Sequence, residues 1–123
     1  MNTKEIASRL VDYCKKGEWE SAQKELYADN CVSLEPEGSP NVKVEGLVAI
    51  IQKGKEFEDM VETFNSIEIS EPLIADRFIS LNMKLDCVFK GMGQVIMDEL
   101  CLFEVKDGKI IKEEFFYTPA PMG

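Results

Sequence analysis

The sequence contains no histidine. Without an imidazole, a serine nucleophile lacks its usual base, and a transition-metal site would have to be assembled from thiolates. The cysteines Cys14, Cys31, Cys87 and Cys101 form no C-x-x-C pair. Each sits among apolar neighbours, where a thiol behaves as a small buried hydrophobe, so reduced core residues are expected. There is no glycine-rich phosphate loop and no calcium-type ligand spacing, so neither a cofactor nor a metal is expected. Basic residues are few, 14 against 23 acids for a net charge of −9, and they nowhere cluster into a stripe. Such a chain has nothing to track phosphates with and is repelled by anionic lipid, which argues against nucleic acid and membrane partners. No apolar run approaches the roughly 18 residues that span a bilayer. The opening MNTKEIASRL lacks an apolar h-region, so no secretory signal is read and a cytoplasmic location is the expectation.

What is present suits one globular domain over residues 1–123, with 45% hydrophobic and 30% charged residues. Asn2 and Glu5 have the spacing of a capping box, and Ile6, Ala7, Leu10, Val11 and Cys14 follow at helical intervals up to Gly17. Trp19, Ala22, Leu26 and Tyr27 repeat the pattern as a second helix. A short strand over Cys31 to Glu35 ends at Pro36, which cannot donate to a ladder, and Glu37 to Val44 reads as a loop. Leu47, Ile50, Ile51, Phe57, Met60, Val61 and Phe64 share one broad face of a third helix, despite Gly54.

From Ser66 the period becomes alternating, most plainly from Ile79 to Phe89. A turn at Lys90 to Gly93, a strand from Gln94 to Lys106, a hairpin signal at Asp107-Gly108 and a strand from Ile110 to Thr118 complete three antiparallel strands. A short tail runs from Pro119 to Gly123. Helices first and long strands after imply an α+β fold, with helices packed into a curved, mainly antiparallel mixed sheet. A sheet curved round a long helix makes a cone that can hold a pocket for an apolar small molecule.

The run from Tyr27 through Gly38, followed by Glu45-Gly46-Leu47-Val48-Ala49-Ile50, resembles a segment of ketosteroid isomerase and SnoaL-like proteins, and Leu102-Phe103 with Asp107 to Ile110 resembles their hairpin. The superfamily also includes nuclear transport factor two. The resemblance implies a proton-transferring base at Glu35, just before the proline. It implies a hydrogen-bonding acid at Glu99, counted back from Phe103 with a one-residue insertion before Asp107. It departs at Leu10, where the isomerase has a tyrosine; Tyr13, one turn further along the helix, and Tyr117, on the last strand, do not match that motif. It also departs in using Glu for Asp, and the absence of histidine excludes the histidine–aspartate chemistry of many cyclases.

Strand parity, taken alone, puts Glu99, Cys101, Phe103 and Val105 on one face and Glu113 with Phe115 and Tyr117 on another inward face. Glu35, Glu99 and Glu113 are thus the candidate catalytic acids. For Glu35 the competing reading is a solvated strand end, and for Glu99 a bulge that exchanges it with Asp98. Leu10, Tyr13, Trp19, Phe57, Met60, Cys101, Phe103, Phe115 and Tyr117 are candidate pocket residues or plain core. Carboxyls gathered in an apolar cup cannot all stay ionised. The expected function is acid–base chemistry on an apolar carbonyl compound; the alternative is a non-catalytic interaction or carrier module. Either form is expected to dimerise, because an exposed curved sheet with Ile and Phe on both faces, such as Ile110 beside Phe116, leaves apolar surface to cover.

Overall fold

The computed structural model describes residues 1–119. Helix α1 (Thr3–Lys15) begins at the capping box, with Asn2 and Glu5 each accepting from the other's backbone N–H. It stops where Gly17 adopts a φ of 69°, a left-handed conformation that glycine takes without a Cβ clash. Helix α2 (Trp19–Leu26) runs directly into β1 (Tyr27–Leu34); β2 (Lys43–Glu45) and α3 (Leu47–Met60) follow. The remaining strands are β3 (Val61–Ile69), β4 (Leu73–Ala75), β5 (Phe78–Phe89), β6 (Gly93–Lys106) and β7 (Lys109–Phe116). Asp107 and Gly108, both at positive φ, form the tight turn between the last two.

The strands form one mixed sheet in the order β2-β1-β7-β6-β5-β3, with β4 on β5. Among the described residues only the β1–β7 pairing is parallel. Register shifts on β3, on β1 against β7 and between Glu104 and Val105 are irregularities of the kind that bend a sheet. The helices cover one face of the sheet, where Ile6, Leu10, Leu26, Ile50, Ile79 and Ile110 are essentially inaccessible to water. Burying each such side chain contributes roughly 1.5–3 kcal/mol.

Several expectations need correction. The third helix ends at Met60, and Val61 and Phe64 lie on β3, because pairing with β5 satisfies their backbone as a ladder. Tyr27 opens β1 instead of closing the second helix, so that strand starts four residues before Cys31. The segment expected as loop includes β2, and β4 is a strand the sequence pattern does not announce. Tyr117 and Thr118 lie beyond the last strand, and the tail expected from Pro119 onward falls outside the described residues after its first position. Ile110 is fully buried and not on the outer face; there, Ile96, Leu100 and Phe116 are about half exposed, the last two side by side. No helix among the described residues is long and apolar enough to cross a membrane.

Candidate functional site

The sheet and helices enclose a cavity of about 600 Å³. Helix α1 contributes Leu10 and Cys14, α2 contributes Trp19, Ala22 and Gln23, and α3 contributes Ile50, Lys53, Gly54 and Phe57. A Cβ built on Gly54 would meet nothing within 4 Å, so this glycine leaves room in the helical wall. The opposite wall is apolar, with Met83, Leu85 and Phe89 on β5, Met97 and Phe103 on β6, and Phe115 on β7. Phe57 stands 5.8 Å from Phe89 and 6.3 Å from Phe64, which in turn is 5.5 Å from Trp19, an aromatic cluster that stiffens this side. Exposed Asn41, Glu56, Glu58 and Met60 rim the opening.

Strand register places the polar groups. Ser33 pairs with Glu113 across β1 and β7, Glu113 with Phe103 across β7 and β6, and Met83 with Glu99 across β5 and β6. Directly paired residues point to the same face, and Glu99 and Phe103 share a face by strand parity, so two neighbouring rows of side chains carry the two acids into the cup. Glu113 is 2% exposed, and both its oxygens accept: Oε2 from the Ser33 hydroxyl at 2.7 Å and Oε1 from the Tyr27 hydroxyl. Burial nonetheless raises its pKa, outweighing Lys53 and these two donors. Lys53 Nζ donates to Ser33 Oγ and to Glu35 Oε2, both at 2.9 Å, and stands 5.3 Å from the Phe115 ring centroid. Tyr117, just past β7, donates its hydroxyl to Glu35 Oε1 at 2.6 Å. The six side chains from Tyr117 through Glu35, Lys53, Ser33 and Glu113 to Tyr27 therefore form one connected hydrogen-bonded chain.

Glu99 stands apart from that chain. It is 8% exposed, lines the cavity, and makes no side-chain hydrogen bond among the described residues. Desolvation first, and then the neighbouring Glu35, raise its pKa to about 7, against a smaller opposing pull from Lys53. The cup thus holds a carboxylate fixed by two donors and, beside it, a carboxyl that exchanges its proton near neutrality. Burial pushes the Cys14 and Cys31 thiols up to about 12, which leaves them unreactive at neutral pH. No group of residues suited to hold a metal ion occurs among the described residues.

Of the residues singled out in the sequence, Glu35, Glu99, Glu113, Leu10, Trp19, Phe57, Met60, Phe103 and Phe115 line the cavity. Three do not. A helix turns about 100° per residue, and on α1 it is Cys14 that follows Leu10 along the cavity face, while Tyr13 turns toward Glu25, which raises its pKa. Cys101 shares the face of Glu99 and Phe103 but is fully covered by core neighbours. Tyr117 acts through Glu35 and not as wall. Lys53, Ser33 and Tyr27 are site residues that the sequence reading does not single out. Two of them carry a signal there all the same: Lys53 falls between Ile50 and Phe57 at helical spacing, and Ser33 sits two residues before Glu35 at strand parity.

A profile of the SnoaL-like domain family matches residues 1–117. Among solved structures, a candidate SnoaL-like polyketide cyclase from Mesorhizobium loti, also labelled a carbohydrate phosphatase, is 30% identical with a TM-score of 0.89; the match covers 95% of this chain and all of that one (100%). A protein with a cystatin-like fold from Xanthomonas campestris is 15% identical with a TM-score of 0.79, covering 94% and 90% of the two chains. One with a ketosteroid isomerase-like fold from Catenulispora acidiphila, solved with trimethylamine, is 14% identical with a TM-score of 0.74, covering 95% and 88%. These last two likenesses show the fold alone. No curated protein sequence matches the chain.

Proposed function

The chain belongs to the SnoaL-like domain family, a small-molecule-binding fold, and we propose that it moves a proton next to the carbonyl of an apolar compound, as an isomerase, cyclase or hydratase does. The observation that carries this reading is Glu99: a buried carboxyl without a hydrogen-bond partner among the described residues, half-titrated near neutrality, in the same cavity as Glu35. In its protonated form Glu99 donates a hydrogen bond to the carbonyl oxygen and stabilises the negative charge that develops there. Ketosteroid isomerase is the known case of a neutral acid donating to an oxyanion beside an ionised base, and the same logic is applied to this cavity. Each Glu35 oxygen accepts one hydrogen bond, from Lys53 or Tyr117. A lone pair therefore remains on each oxygen to take the proton from the α-carbon and return it to the product. Both acids end as they began, and no cofactor is needed. Glu113 serves by holding Ser33, and through it Lys53, in place.

The test is α-proton exchange of cyclic ketones in deuterated water, followed by NMR. Glu35→Gln is expected to slow exchange by about 10²–10⁴-fold, the usual contribution of a positioned base. Wild-type exchange no faster than buffer would sink the catalytic reading; ketone binding without exchange would make the protein a carrier. A cytoplasmic location and a homodimer belong to the same proposal. The half-exposed Ile96, Leu100 and Phe116 make an apolar outer face that a second copy would cover. Light scattering is expected to give twice the 13.9 kDa chain mass; a monomer, or a dimer untouched by Leu100→Lys, refutes that interface.

A further inference from the structure

Charge is distributed unevenly round the cavity. Among the described residues five acids line it, Glu35, Glu56, Glu58, Glu99 and Glu113, against the single base Lys53. The ammonium of that base is already committed, held by Glu35 and Ser33 at 2.9 Å each. Helices α1 and α2 bring no charged side chain to the wall at all. Glu35 is thus neutralised by its partner, Glu113 has both oxygens filled by hydroxyls, and Glu56 and Glu58 stand at the entrance. Of the five, only Glu99 combines a carboxyl that makes no side-chain hydrogen bond among the described residues with a place in the apolar volume nine-tenths removed from water.

An anion entering this space meets like charge at the rim and again at the floor, with no free cation among the described residues to receive it. A protonated amine meets the opposite. Its charge is drawn through the rim and finds, inside the apolar volume, a carboxylate with no side-chain hydrogen bond among the described residues.

We infer that the cavity selects an apolar amine, its ammonium seated on Glu99 and its hydrocarbon body filling the aromatic and methionine-lined volume. This rests on the cavity being a ligand site and goes beyond the carbonyl chemistry proposed for it. A carbonyl ligand uses Glu99 as a donor in the protonated form, whereas an ammonium ligand uses it as an acceptor in the ionised form. The two modes are therefore linked to protons with opposite sign. The groups facing Glu99 are Glu35, Lys53 from α3, Glu113 from β7, Cys87 from β5, Cys101 from β6 and Tyr117. The thiols and phenols among them are neutral at the pH values used below.

The test is calorimetric titration with four compounds on one rigid frame: adamantylamine, adamantanol, adamantyl methyl ketone and adamantanecarboxylate. At about pH 8 the amine is expected to bind at least about tenfold more tightly than the alcohol, with the carboxylate weakest. At about pH 6, amine binding is expected to release close to one proton, measured from the dependence of heat on buffer, while ketone binding releases none. Glu99→Gln should abolish both the amine's advantage over the alcohol and the proton release, and Glu99→Asp should restore part of both. An amine no tighter than the alcohol, or an advantage that survives Glu99→Gln, overturns the inference. Ketone binding with amine rejection would do so and leave the carbonyl reading standing, whereas a failure of all four compounds would remove both.

Discussion

Glu99→Gln is expected to be more stable than the wild-type protein by about 3 kcal/mol at about pH 8, and almost equal to it at about pH 4. The sign follows from where the proton sits. In the unfolded chain Glu99 titrates near its ordinary 4.5, and in the folded protein burial and Glu35 raise it to about 7. Between those values the native state holds a proton that the unfolded state has lost, so wild-type stability falls as pH rises through that window. Above it the folded protein carries a desolvated charge with no partner. Each pH unit between the two values costs about 1.4 kcal/mol, or about 3 kcal/mol across the whole window. Glutamine keeps the size and polarity of the protonated acid and cannot ionise, so the variant escapes this loss. Glu113 is shifted the same way and remains in both proteins; subtracting the two stability curves therefore isolates Glu99. Urea denaturation across the pH range supplies them. A difference that stays flat with pH would mean that Glu99 is bathed by solvent, and neither proposed use of the cavity would survive that.

The inward placement of Glu99 and Glu113 was legible because a strand alternates. Once Glu104, Lys106, Lys112 and Glu114 are turned to water, parity leaves the intervening residues facing the helices, and no bulge intervenes at Asp98. The same alternation exposed β5, β6 and β7, and Asp107-Gly108 marked the turn that joins the last two. Where periods coincide, sequence could not decide. Phe57, Met60, Val61 and Phe64 are spaced like a helical stripe, yet the helix stops at Met60 because the following residues find backbone partners on β5. That pairing lies distant in the chain and leaves no local mark. Strands as short as β2 and β4 contain too few residues to show a period. Lys53 is hidden for a different reason: a lysine amid apolar helix positions usually carries its ammonium out to water, and here Ser33 on β1 and Glu35 just past it turn it inward.

That same lysine supports the second large effect. Lys53→Met should cost about 3 kcal/mol at about pH 8, and markedly less at about pH 5. The side chains of Lys53 and Glu35 are only 17% and 18% exposed, so solvent screens their pair weakly. Deleting one member of a buried ion pair typically costs about 3–5 kcal/mol, because the remaining charge stays desolvated. Residual exposure and the hydrogen bond from Tyr117 put this case at the lower end. The loss spreads along the connected side chains, since Ser33 gives up a donor and Lys53 no longer holds down the pKa values of Glu99 and Glu113. Both acids then bind protons more tightly in the native state than they do in the wild type. The variant is therefore penalised increasingly as pH rises and recovers as pH falls, whereas losing a lysine that merely packs costs the same at every pH. Lys53→Arg retains the charge and should keep more than half of the stability difference. Denaturation of both variants at the two pH values, together with an NMR titration of the Glu99 carboxyl, separates the cases. If Lys53→Met loses the same amount at each pH and the Glu99 titration stays where it was, the ammonium is not the counter-charge on which the cavity's acids depend.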